Sequence, residues 1–289
     1  MKGVILTAGY GTRFLPITKS VPKEMLPLGT RPALDYVVQE YIDSGITDIL
    51  VINSRRKKLL EDYYDREAEL EAVFQREGKE ANLRKITPPQ GVRFYFIRQQ
   101  RMQGTGDAVL LAREFAGNDP CVLAFPDDLH VRRESAPLAR QLFQVYEQTG
   151  NAVLALEERP ESEDISRYGV AAVEAGSSPI KVTGLIEKPP RGEEPSRYIS
   201  VGRYLITPAI FDALEEEYRE HQTGEFYLTS AFHRVAGHGK LSGCVYEGER
   251  LDTGEPLGYY EAMIRYLLEE WGDSEQGQAF RRFLREQVG

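Results

Sequence analysis

The chain has 289 residues, enough for one large α/β domain or a domain with a small appendage, and too few for two full domains with comfort. Its 41% apolar and 28% charged residues exclude compositional disorder. With 36 Lys and Arg against 45 Asp and Glu, a net charge of −9, it lacks the basic balance of a general nucleic-acid binder.

In chain order, Val4 to Leu6 is a short branched apolar run and predicts a buried strand, which glycines and Pro16 then break. The opening run Met1 to Leu6 is too short for the apolar region of a signal peptide, and no run of about 18 apolar residues follows. A soluble, cytoplasmic protein is expected, with no membrane partner. From Pro32 to Ser44 apolar residues recur at Leu34, Val37, Val38 and Tyr41, one helix face, and Gly45 closes it. Asp48 to Asn53 is the next strand, so the first 53 residues read as a right-handed βαβ unit with parallel strands.

Lys57 to Lys85 predicts a charged helical insertion, Glu67, Glu69 and Glu71 lying against Leu70 and Val73, without a turn signal before Pro88. A strand over Val92–Ile97, a helix over Asp107–Phe115, a strand over Cys121–Phe125, a helix over Leu138–Thr149 and a strand over Ala152–Glu157 complete an alternating first half. The second half offers short strands at Gly169–Val173, Lys181–Glu187, Tyr198–Leu205 and Lys240–Tyr246, read as a mixed sheet extension over one end of the core. Gly258 to Phe283 is helical, with a polar Gly-Asp-Ser-Glu break after Trp271, and packs either on its own core or on a second subunit. Cys121 and Cys244 stand alone, so neither a disulfide framework nor a zinc site is expected.

Four clusters have the composition of a reaction site. The turn Leu6 to Phe14 carries Gly9 and Gly11, where backbone N–H groups approach a ligand closely. Phe14 stands where a dinucleotide fingerprint needs its third glycine, and no Walker motif exists. Arg13, Lys19 and Lys23 in the same loop of an acidic chain make a site for a polyphosphate, against the plainer reading of a solvated basic stretch. Asp127, at the end of a strand in Phe125-Pro126-Asp127-Asp128, is placed to hold Mg²⁺, and one of the two aspartates is free to cap the turn instead. Asp252 in Leu251-Asp252-Thr253-Gly254 is either a second magnesium carboxylate or a turn residue; an aspartic protease would need a second copy. Glu187 and Lys188 leave a strand before Pro189, an acid suited to sugar hydroxyls beside a point charge suited to one phosphate, or a plain surface pair.

Together these motifs resemble the bacterial UTP:glucose-1-phosphate uridylyltransferases within the sugar-1-phosphate nucleotidyltransferases, over nearly the whole chain to about residue 268. The resemblance rests on A-G-x-G-T-R-F-L-P from Ala8, T-K-x-x-P-K-E-M-L-P from Thr18, Arg98-Gln99, and G-x-G-x-A from Gly104. It continues through P-D-D from Pro126, Tyr168-Gly169-Val170, E-K-P from Glu187 and V-G-R-Y from Val201, to G-E-x-x-L-T from Gly224 and D-x-G-x-x-L-G-Y from Asp252. The helical insertion also resembles the uridylyltransferase branch.

The resemblance implies a Rossmann-like three-layer α/β/α nucleotidyltransferase core with a mixed, mostly parallel sheet and a small β extension. Residues 1–249 would be the catalytic domain, with the insertion at about 57–85. Residues 250–289 would carry the magnesium aspartate and helices that form a homodimer or homotetramer. It implies Mg²⁺-dependent attack of glucose 1-phosphate on UTP, releasing pyrophosphate and UDP-glucose, with Arg13, Lys23, Asp127 and Lys188 catalytic and Asp127 and Asp252 binding the metal. Ala8, Gly9, Gly11, Thr12, Gln99 and Gly104 would hold the nucleotide. Gly169, Glu187, Lys188 and Gly202 would hold the sugar phosphate. Tyr10, Asp107 and Ser230 depart from the family pattern, Asp107 standing where His is usual. The alternatives are a thymidylyl- or cytidylyltransferase on the same sugar phosphate and a non-catalytic sugar-nucleotide sensor.

Overall fold

The computed structural model describes residues 1–131 and 134–288. The first half runs β1 (Lys2–Leu6), β2 (Pro27–Leu28), β3 (Arg31–Pro32), α1 (Ala33–Asp43), β4 (Asp48–Asn53), α2 (Lys58–Tyr64), α3 (Ala68–Arg76), α4 (Glu80–Ile86), β5 (Arg93–Arg98), α5 (Thr105–Leu110), α6 (Arg113–Ala116), β6 (Cys121–Ala124), β7 (Asp128–Val131), α7 (Leu138–Thr149) and β8 (Ala152–Glu158). The second half adds β9 (Gly169–Val173), β10 (Ile180–Glu187), β11 (Tyr198–Ile206), α8 (Pro208–Glu220), α9 (Leu228–Gly237), β12 (Leu241–Val245), β13 (Glu249–Asp252), α10 (Pro256–Trp271) and α11 (Glu275–Val288).

Among the described residues one sheet of nine strands forms the middle layer, in the order β5-β4-β1-β6-β11-β8-β12-β10-β9. β1 pairs in parallel with both β4 and β6, and β4 with β5, as the opening strand–helix–strand pattern requires. These central strands read as continuous apolar runs because helices cover both faces: every residue of β6 is buried. α1, α2, α7 and α10 pack one face, while α5, α6, α8 and α9 pack the other, giving the three-layer α/β/α order. Proline opens both α8 and α10, where a missing N–H costs nothing.

Two expectations need correction. The strands of the second half are not a separate extension. β11 enters the main sheet antiparallel between β6 and β8, β12 joins β8 in parallel, and β10 and β9 close the far edge. The expected helical insertion is present as three helices, broken around Asp65–Glu67 and at Glu77–Lys79, with Glu71 buried against the Arg66 guanidinium. The helix expected over 107–115 divides into α5 and α6. A separate two-stranded ribbon pairs β7 with β13 across the expected boundary at 249/250, setting Asp252 opposite Asp128. No helix among the described residues is long and apolar enough to cross a membrane.

Candidate active site

The turn after β1, the turn between β6 and β7, and the turn after β13 come together at the carboxyl ends of the parallel strands, where open α/β sheets hold ligands. Thr253 fastens two of them: its backbone N–H and its hydroxyl both donate to the Asp127 carbonyl, at 2.7 and 2.9 Å. Gly254 shows how tightly the side chains converge. A Cβ there would lie 2.9 Å from Asp127 Oδ2, 3.1 Å from Asp252 Oδ1 and 3.6 Å from Arg13 Nη1. Only glycine leaves that space open between two carboxylates and a guanidinium.

Lys23 Nζ donates to Asp127 Oδ2 at 2.5 Å. Burial alone would raise the Asp127 carboxyl, but the charge and hydrogen bond of Lys23 outweigh it and hold the group below its ordinary range. Burial likewise opposes the Lys23 ammonium, and Asp127 and then Glu24 reverse the effect and raise it. Asp252 is the more open carboxylate. Its Oδ1 accepts from the Gly254 N–H at 3.0 Å and its Oδ2 lies 3.5 Å from Arg250 Nη2. Arg13 is mostly exposed, with Nε 3.2 Å from Glu255 and Nη1 3.4 Å from the Gly254 carbonyl.

The adjacent aspartates have different work. Asp128 turns away from the cleft, accepts from the Gly202 N–H at 2.7 Å and binds Arg250 Nε at 2.6 Å. This corrects the expectation for Gly202: its N–H is taken by Asp128 and its carbonyl by the Phe125 N–H and Arg203, so no backbone group remains for a sugar hydroxyl. Gly202 instead lacks the Cβ that would collide with Asp128 at 2.8 Å. Arg250, missed in the sequence, ties Asp128 to Asp252 and lies over the Tyr168 ring. Its only trace was the two-residue spacing from Asp252 on one strand face.

A second group forms at the sheet edge. Gly169 on β9 pairs with Glu187 on β10, and a Cβ on Gly169 would sit 3.2 Å from Glu187 Oε2. Lys188 follows, its N–H donating to the Tyr168 carbonyl, so Tyr168 links this group to Arg250. Lys188 holds φ at 48°, the one non-glycine in left-handed backbone among the described residues, a conformation that costs about 1–3 kcal/mol and concentrates at functional sites.

The third group flanks the end of β5. Gln99 is 5% exposed, and its backbone N–H extends the sheet by donating to the Asn53 carbonyl. Gln99 Nε2 donates to the Gly104 carbonyl at 3.1 Å and to Asp107 Oδ2 at 2.8 Å, which answers the departure at Asp107: its carboxylate faces an amide. Gly104 has φ 111°, and a Cβ there would meet the Phe226 carbonyl at 2.3 Å. The paired glycines therefore admit a distant backbone segment. Ala8 is buried at the end of β1, Gly9 faces open space, the Gly11 carbonyl accepts from Thr18, and Thr12 begins an exposed 3₁₀ turn. Tyr10 is exposed, beneath the Arg56 guanidinium. Ser230 donates to the Tyr227 carbonyl and to Glu217.

Comparison with known proteins follows the same outline. The Nucleotidyl transferase family model matches residues 2–269. A UTP–glucose-1-phosphate uridylyltransferase of Staphylococcus epidermidis is 38% identical over 287 residues, covering 99% of this chain and 97% of the relative. Among solved structures, a UDP-glucose pyrophosphorylase from Acinetobacter baumannii superposes with a TM-score of 0.88 at 32% identity, covering 99% of both chains. A UTP-bound structure from that organism gives 0.88 at 31% identity, over 99% of this chain and 98% of the other.

Proposed function

Because the chain belongs to the nucleotidyl transferase family, among the UTP–glucose-1-phosphate uridylyltransferases, we propose that it transfers the uridylyl group of UTP to glucose 1-phosphate, forming UDP-glucose and pyrophosphate. The observation that carries this reading is the convergence of Asp127, Asp252 and Arg13 about Gly254, with Lys23 on Asp127. An oxygen of the sugar phosphate bonds to the α-phosphorus of UTP as the α–β bridging P–O bond breaks, and the electron pair leaves with pyrophosphate. The nucleophile is already an anion, so no general base is needed, and catalysis reduces to positioning and charge neutralisation.

A divalent cation suits the hard oxygens of Asp127 and Asp252, and the space beside Gly254 keeps both carboxylates accessible. A Mg²⁺ held there would take these one or two carboxylates and complete its shell with phosphate oxygens and water. When bound, Mg²⁺ supplies neutralisation of the phosphate charge and a fixed orientation. Arg13 and Lys23 counter the charge that develops on the leaving pyrophosphate, Lys23 exchanging Asp127 for the nucleotide. Lys188 orients the sugar phosphate, while Glu187 and the Gly169 backbone face the glucose hydroxyls. Gln99 meets the base edge, and Ala8, Gly9, Gly11, Thr12 and Gly104 line the nucleotide.

Residues 1–249, with the insertion at 57–85, act as the catalytic unit, and 250–289 add the Asp252 turn and the helices of a homodimer or homotetramer in the cytoplasm. The exposed Tyr260 and Phe283 on α10 and α11 support that assembly. The test is a competition: protein, Mg²⁺, glucose 1-phosphate and pyrophosphatase with equal UTP, dTTP, CTP, ATP and GTP, products identified by mass. Predominant UDP-glucose is expected. Predominant dTDP- or CDP-glucose would replace the nucleotide, and no product would leave a binding protein.

A further inference from the structure

Gln99 carries an amide whose two ends differ only in what they ask of a neighbour: the nitrogen donates and the oxygen accepts. Both partners of Nε2 are pure acceptors, the Gly104 carbonyl at 3.1 Å and the Asp107 carboxylate at 2.8 Å. Turning the amide over would set its oxygen against two other oxygens, so this orientation follows from the chemistry of the neighbours. The Gly104 carbonyl alone would favour it weakly. The carboxylate adds a charge-assisted bond, which is about twice as strong as a neutral one. No described residue donates to Oε1, and that atom is absent from the sealed, unpartnered polar atoms of the interior. Gln99 therefore presents a fixed acceptor at the end of β5.

We propose that Asp107 is a positioning residue for base selection: by locking the Gln99 amide it makes the site accept a pyrimidine with an N3–H, as in uracil, and reject cytosine. Uracil donates from N3 to Oε1, whereas cytosine would bring an N3 lone pair against it. A carboxylate where the family has histidine is in this chain a base-edge device, held away from the phosphates by its bond to Gln99. The inference rests on the reading of Gln99 as the residue at the base edge.

The experiment compares wild type, Asp107→Asn and Asp107→Leu by calorimetric titration with UTP and with CTP in Mg²⁺, and by kcat/KM for both nucleotides with glucose 1-phosphate. Asn retains an acceptor for Nε2; Leu keeps bulk and removes it. The UTP-to-CTP ratio should fall roughly tenfold in Asp107→Leu, about the worth of one charged hydrogen bond, while Asp107→Asn stays within about threefold of wild type and KM for glucose 1-phosphate is unchanged. In ¹⁵N-labelled protein the Gln99 side-chain NH₂ signals should move in Asp107→Leu alone. Equal loss of UTP and CTP, an unchanged ratio in folded Asp107→Leu, or a wild type that binds CTP as well as UTP would overturn the inference. A wild type that prefers UTP in binding yet makes no UDP-glucose would overturn the proposed reaction only, and the binding ratios of the variants would still decide the role of Asp107.

Discussion

Two clusters of buried charge flank the same stretch of sheet, and they are built for different purposes. Beneath the strands, Arg203 on β11 is 0% exposed, and all three of its guanidinium nitrogens donate. Nε and Nη2 donate to Glu40 on α1, and Nη1 donates to the Phe125 and Gly202 carbonyls. Glu40 also accepts from the Ala139 N–H, joining α7 to the pair. In the cleft, Lys23 and Asp127 share one short bond, and their side chains stay 19% and 28% exposed. The first cluster is largely closed by its own hydrogen bonds, as a buried ion pair requires. The second keeps donors and acceptors in reserve, so an incoming phosphate and cation replace protein contacts without leaving a stranded charge. Satisfied charge fixes the architecture, and half-satisfied charge makes a site.

That contrast can be broken by substitution, starting with the largest effect. Glu40→Ala strands the Arg203 guanidinium in the core and should cost about 3–5 kcal/mol, a fall in Tm on the order of 10 °C by calorimetry, with turnover per folded molecule nearly unchanged. Asp127→Asn should do the reverse: kcat falls about 10²- to 10³-fold in a pyrophosphate-release assay while Tm shifts little, because the amide keeps the shape and loses the charge. Near-normal turnover in that variant would remove Asp127 from the reacting centre.

A smaller effect sharpens the same line through pH. His130 on β7 is buried with neither ring nitrogen partnered, and burial, then the neighbouring Arg203, drives its pKa down to about 3. The folded protein holds this ring neutral while the unfolded chain protonates it below about pH 6.5, so the unfolded state binds the extra proton and stability is lost as pH falls from there toward 3. At pH 5 the loss from this residue is about 2 kcal/mol. His130→Leu should flatten the dependence of the urea midpoint between pH 7 and 5, and an unchanged slope would show that the ring is protonated in the folded state.

Much of the fold was legible because the parallel strands are short, branched and bounded by turn residues: β4, β9 and α7 fall on the expected limits. The placing of β11 was not. Strand order depends on which of two faces a run of alternating residues finds, and Val201, Arg203 and Leu205 give no sign that Arg203 will be buried against a glutamate more than 160 residues earlier. In the cleft, the carboxylate at a strand end pointed to Asp127, since that position in an open sheet faces the ligand crevice, and the Leu251-Asp252-Thr253-Gly254 turn pointed to Asp252. The division between Asp127 and Asp128 was illegible, because it is set by the register of β7 against β13 and by Arg250 across that ribbon. Gly104 was read toward the nucleotide, yet it and Gly106 also make room for Phe226, a partner with no local trace.

The central claim, that Asp127 and Asp252 act on one shared cation rather than as separate groups, is tested most directly by a double-mutant cycle on UDP-glucose formation. The kcat/KM for UTP is measured for wild type, Asp127→Asn, Asp252→Asn and the double variant at saturating Mg²⁺ and glucose 1-phosphate. Joint action predicts a double variant about as slow as the slower single one, because the second substitution removes nothing that still works. Losses that multiply would contradict it and make the two carboxylates independent.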